Sequence, residues 1–146
     1  MKKSFLFSLL FVATSGFADE LQHFDEIKSS VIVGKSIRIA IDFSQCTTSS
    51  SSSSKSATQD QYNIGVFSPN EIIVNSKGQI ASSLTHFTLN NPSFPSKPVF
   101  EFVRYTITSD DSVNVITQVL DATNYTPLSN KISFDCKINT AAKIYS

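Results

Sequence analysis

From Ser36 to Phe43 the chain reads SIRIAIDF, and Ile37, Ile39, Ile41 and Phe43 alternate with Arg38, Ala40 and Asp42. A period of two with β-branched residues on one side predicts a strand with one buried face. Upstream the period changes. In residues 19–34, DELQHFDEIKSSVIVG, Leu21, Phe24, Ile27 and Val31 fall at intervals of three and four. That spacing makes one apolar stripe on a helix. Asp19, Glu20, Asp25 and Glu26 suit the positive N-terminal end of such a helix, and Gly34 supplies a stop.

Downstream, YNIGVF, EIIV, QIASSLTHFTL, PVFEFVRYTI, SVNVITQVLDA, KISFDCKI and AKIYS read as strands. Between them lie turn signals at Ser68-Pro69-Asn70, Asn75 to Gly78, the two-proline stretch 90–97, Ser109-Asp110-Asp111 and 123–130. Seven or eight strands at this spacing predict a mainly β (α+β) fold. The expected architecture is an antiparallel meander, as a strongly curved sheet or small barrel, with one N-terminal helix over a face or an open end. One stretch fits no element. From Thr47 to Thr58, ten of twelve residues are Ser or Thr. They offer nothing to bury against the entropy of ordering, so a disordered Ser-rich loop is expected over 47–60.

The first residues bear on compartment. Lys2 and Lys3 precede the apolar run FLFSLLFVA, and Gly16-Phe17-Ala18 offers small residues for cleavage. Residues 1–18 therefore read as a signal peptide of bacterial type, leaving 19–146 as a single domain, periplasmic or secreted. After cleavage no apolar stretch is long enough for stable membrane insertion. Removing Lys2 and Lys3 leaves ten basic and twelve acidic residues. With no basic patch, the chain lacks what displaces counterions from phosphates, and nucleic acid is not expected as a partner.

Several segments together resemble one family. LQHFDEIKSSVIVGKSIRIAIDFSQCT, LTHFTL, EFVRYTI and YTPLSNKISFDCKIN resemble the VirK family of small secreted bacterial proteins. The helix followed by a Gly-Lys-Ser strand and a Ser-Gln-Cys-Thr ending is the most specific part. The resemblance implies a virulence setting, with delivery to a host organism among its forms. It carries over no catalytic residue.

Candidate chemistry is sparse. His86 shares strand parity with Ile80, Ser82, Leu84 and Thr88, and no Gly-x-Ser-x-Gly elbow marks a partner serine. The chain is read as a non-enzyme with no catalytic residue and no cofactor. Cys46, Cys136 and His86 lack the close ligand pairs of a zinc site, so no metal is expected. Cys46 and Cys136 are the only cysteines, and in an oxidising compartment they are expected to form one disulfide. Aromatic residues crowd the second half. In VFEFVRYTI both faces carry large apolar groups, Phe100 and Phe102 on one and Tyr105 on the other. Either the helix covers the second face, or the sheet curls and encloses an apolar interior, or that face meets a partner. His86, Phe100, Phe102 and Tyr105 are thus the candidate contacts. The expected function is a virulence-associated binding protein whose partner is another protein. The alternative is a carrier of a small apolar ligand inside the curled sheet.

Overall fold

A computed structural model describes residues 18–50, 64–69 and 71–146. Residues 1–17 of the expected signal peptide lie outside the described residues. The helical stripe starts later than its spacing predicts. Glu20–Leu21 is a short strand, β1, and helix α1 covers only Phe24–Ile32. Its free N–H groups are met in two ways. The Glu26 carboxylate accepts from the N–H of Gln22 (2.8 Å) and His23 (3.3 Å), and Asp111 accepts from the N–H of Phe24 at 2.7 Å. Carboxylates at this end satisfy unpaired donors and oppose the helix dipole. The residues before His23 are then available to pair as a strand. The helix ends as expected, with Gly34 at φ 82, a left-handed backbone that favours glycine. Phe24, Ile27 and Ser30 face inward.

The strands that follow are β2 (Arg38–Asp42), β3 (Thr47–Ser50), β4 (Ile64–Phe67), β5 (Ile72–Val74), β6 (Ile80–Thr88), β7 (Val99–Thr108), β8 (Ser112–Asp121), β9 (Ile132–Lys137) and β10 (Ala142–Tyr145). They form two antiparallel sheets. The order is β1-β10-β2-β4 in one and β3-β9-β8-β7-β6-β5 in the other. The meander predicted from sequence is present as β5 to β9. The small barrel is not: neither sheet closes, and the domain is two sheets rather than one curled sheet. The expected disordered loop is also corrected at its start. Thr47–Ser50 forms β3, paired with β9 in the register Thr47↔Asp135 to Ser50↔Ile132. Residues 51–60 of that loop lie outside the described residues.

Two of the places where the chain crosses between the sheets are neighbours. After β2, the 3-10 turn Phe43–Gln45 leads into β3. The Asp42 carboxylate holds this turn by accepting from Ser44 N (3.1 Å), Ser44 Oγ (2.6 Å) and Gln45 Nε2 (2.6 Å). These hydrogen bonds, from the Ser44 side chain first, keep the Asp42 carboxyl below its ordinary range. After β9, a turn through Asn139 (φ 66) leads into β10. A disulfide joins Cys46 to Cys136 at this corner, with Cα atoms 4.5 Å apart, as the sequence predicts. Asp42, Ser44 and Gln45 thus shape the bend, and the bridge ties it to the closing strand.

The core lies between the sheets under α1. Ile37, Ile39, Ile41 and Phe43 all point into it, which is the face the alternation at 37–43 specifies. Ala142 and Ile144 of β10 and Ile80, Ile107, Val113, Val115, Phe134 and Cys136 of the larger sheet complete it. At its lower edge the β7–β8 hairpin turns through Ser109-Asp110-Asp111, with Asp111 at φ 56, the three-residue turn expected there.

Candidate ligand cavity

The two sheets differ in strand length. β7 and β8 have 10 residues each and β6 has 9, while β2 has 5 and β4 and β10 have 4. At roughly 3.3 Å per residue, the long strands run about 30 Å and the short ones about half that. The larger sheet therefore extends past its cover. Burial along its inner face records this. On β7, Ile107 and Tyr105 are 1% exposed, Val103 and Glu101 are half-buried, and Val99 is again fully buried. On β8, Val113 and Val115 are buried while Thr117 and Val119 are half-buried. On β9, Ile132 is half-buried beyond buried Phe134.

Between the packed core and the loop 90–98 lies a cavity of about 430 Å³. Its floor is Leu84, Val103 and Ile132. The wall toward the core is aromatic. Tyr105, Phe67, Phe43 and Phe134 form a chain of rings, with successive centroids 5.2, 6.3 and 4.9 Å apart, and the last three face the cavity. Gly65 of β4 makes this wall possible. A β-carbon there would collide with the Phe67 ring and stand 3.1 Å from that of Phe43.

The far end is polar. His86 and Glu101 are directly opposite on β6 and β7, and both line the cavity. The Glu101 Oε1 accepts from Asn91 Nδ2 at 2.8 Å. Asn91 is 4% exposed and fixes the loop, since its Oδ1 accepts from Ser93 N at 2.9 Å. Lys97, at the other end of the loop, pairs with Asp121 at 2.9 Å. That contact, with help from Thr123, holds the Asp121 carboxyl far below its ordinary range. Among the described residues, no side chain hydrogen-bonds the His86 ring and no group of three or more His, Cys, Asp or Glu could hold a metal.

The four residues singled out from sequence separate here. His86 and Phe102 border the cavity. Tyr105 does not: it is core, packed on Phe67, and its buried hydroxyl has no hydrogen-bond partner among the described residues. Burial pushes its phenol well above the ordinary range. Phe100 lies on the opposite face of the sheet, stacked on Tyr125 at 5.5 Å and edge-on to Phe87 at 5.7 Å. Tyr125 and Phe87 are 66% and 52% exposed. Glu101, Asn91 and Leu84 are cavity residues that the sequence reading did not select. The signal available for Glu101 was its parity with Val99, Val103 and Tyr105, a lone acid on an apolar face. A second depression, about 770 Å³, runs along Ser36, Arg38, Val66 and Tyr145. It is a shallow groove on the outside of the small sheet and has no comparable walls.

The family model described as VirK protein matches residues 20–125. The uncharacterised protein y4wH of Sinorhizobium fredii is 24% identical over 144 residues, which is 97% of this chain and 94% of that protein. The crystal structure of lpg1832, a VirK family protein from Legionella pneumophila, superimposes with a TM-score of 0.73 at 26% identity. The match covers 87% of this chain and 98% of that one.

Proposed function

This chain belongs to the VirK family, and on that footing we propose that it is an exported, virulence-associated binding protein that holds a small, largely apolar ligand between its sheets. The observation that carries this reading is the cavity of about 430 Å³, walled by Phe43, Phe67 and Phe134 and floored by Leu84, Val103 and Ile132. Small-molecule sites have this size and this mix of apolar wall and few polar groups. Export is supported by the Cys46–Cys136 disulfide, a bond that persists in oxidising compartments, and by the lysine-led apolar segment at the start of the sequence. No helix among the described residues is long and apolar enough to cross a membrane. The reading assigns no catalysis: no side chain among the described residues hydrogen-bonds the His86 ring, and Glu101 opposite it is held by Asn91.

A protein partner is the second reading. Phe87 and Tyr125 are each more than half exposed and pack on Phe100 on the outer face, and Leu89 is exposed as well. Native mass spectrometry of protein purified from its own host separates the two. The ligand reading expects a bound small mass that leaves on mild denaturation and is missing from a folded Leu84→Trp variant, whose indole fills the cavity. A ligand-free wild type that instead co-purifies with a protein, and loses it on Tyr125→Ala, overturns the ligand reading.

A further inference from the structure

The chemistry of the polar end narrows the ligand further, given the cavity reading on which this step rests. Among the described residues, Glu101 is the one Asp or Glu bordering the cavity, and no lysine or arginine does so. The nearest cation on the loop, Lys97, is already held by Asp121. Asn91 occupies only one oxygen of Glu101. The other, Oε2, accepts no hydrogen bond from a described residue. The remaining lining on that side is His86, Gln118 and the Ser93–Phe94 turn. Gln118 donates one N–H to the Ser129 carbonyl at 3.1 Å. The end of the cavity therefore offers a carboxylate oxygen without a described donor and carries its negative charge.

We infer that the ligand is an amine: an apolar body in the Phe43–Phe67–Phe134 compartment with a protonated amino group at Glu101. Three features agree on this. A carboxylate paired with an ammonium offsets the cost of leaving water, whereas an anionic head group would face the like charge of Glu101. An ammonium entering past Phe94 also meets an aromatic ring, which attracts cations. The Asn91–Glu101 bond holds the carboxylate in place before the ligand arrives, so little ordering remains to be done on binding.

The test is calorimetric titration of the mature protein with decylamine, decanoic acid and decan-1-ol, which share one chain and differ only in head group. Decylamine is expected to bind tightest, by about tenfold over the alcohol, the size of one charge-assisted hydrogen bond over a neutral one. Glu101→Gln keeps an oxygen for Asn91 and removes the charge, and it should bring amine and alcohol together. Equal affinity for amine and alcohol in the wild type, or tighter binding of the acid, overturns the amine assignment and leaves the cavity a ligand site. Binding of none of the three overturns both. The wild-type comparison stands even if the variant does not fold.

Discussion

The two ends of the larger sheet share the same strands and differ in what covers them. At the corner end, Ile80, Ile107, Val113 and Cys136 meet Ile39, Ile41 and Ile144 of the small sheet, and the interior is filled. Further along the same face, Leu84, Val103, Thr117 and Ile132 meet open volume and the edge rings Phe43 and Phe67. Binary patterning is the same at both ends. Space appears where a short strand stops and a long one continues, and the cavity is a product of mismatched lengths rather than of special residues in the long strands. One end is thus built for stability and the other is free to bind.

The largest test of that division is the bridge at the corner. Opening Cys46–Cys136 by a double Cys→Ala change frees a link across 90 residues and should cost up to about 4–5 kcal/mol in the chain-entropy model. Urea unfolding measures it, and a loss below about 1 kcal/mol would mean that hydrophobic contacts alone hold the corner. Next comes a paired truncation. Ile107→Ala at the filled end should cost about 2–5 kcal/mol, whereas Leu84→Ala, already beside open space, should cost less than about 1.5 kcal/mol. Equal losses would show that both ends are packed alike. At the boundary, Tyr105→Phe keeps the ring against Phe67 and removes a buried hydroxyl without a partner. Its midpoint should rise, by up to about 1 kcal/mol, and a fall would reveal a hydrogen bond at that oxygen.

The smallest effect is electrostatic and belongs to the closed end. His23 Nδ1 and Asp111 Oδ2 are 3.1 Å apart at the surface. The bond to Asp111 raises the His23 pKa, and the bond to His23, then the Phe24 N–H, lowers that of Asp111. The contribution from His23 is full below its unfolded value of about 6.5 and fades as pH rises through the raised one. The contribution from Asp111 is full above about pH 3.9 and fades as pH falls through the lowered one. The pair therefore steadies α1 most between about pH 4 and about pH 6.5. Melting-temperature differences between wild type and His23→Gln should shrink from about pH 5 to about pH 9, and a constant difference would assign the effect to packing.

Local signals were legible in the sequence and long-range ones were not. The alternation at 37–43 gave both the strand and its buried face, and two cysteines in an export context gave the bridge. Thr47–Ser50 was read as loop because four small polar residues bury nothing. They are ordered by pairing with β9, next to the disulfide, a contact more than 80 residues away in the chain. Glu20–Leu21 was read as helix because Leu21 fits the helical stripe. Its partner, Ile144, decides otherwise. His86 lies on the cavity face opposite Glu101, whereas Phe102 borders the cavity from the strand face that it shares with Phe100. Tyr105 and Phe100 were not separable from them, because period two says which residues share a face and not what stands opposite.

β10 carries one more consequence, in the order of assembly. In the small sheet it lies between β1 and β2, so the first strand of the domain pairs only with residues 144–145 and β2 gains its second neighbour from residues 142–145. During synthesis the opening segment waits, unpaired, for almost the whole chain to be made. Contacts this distant in sequence form slowly. Until they do, β2 has β4 as its one sheet neighbour among the described residues, and the small sheet stays incomplete for as long as β10 is missing.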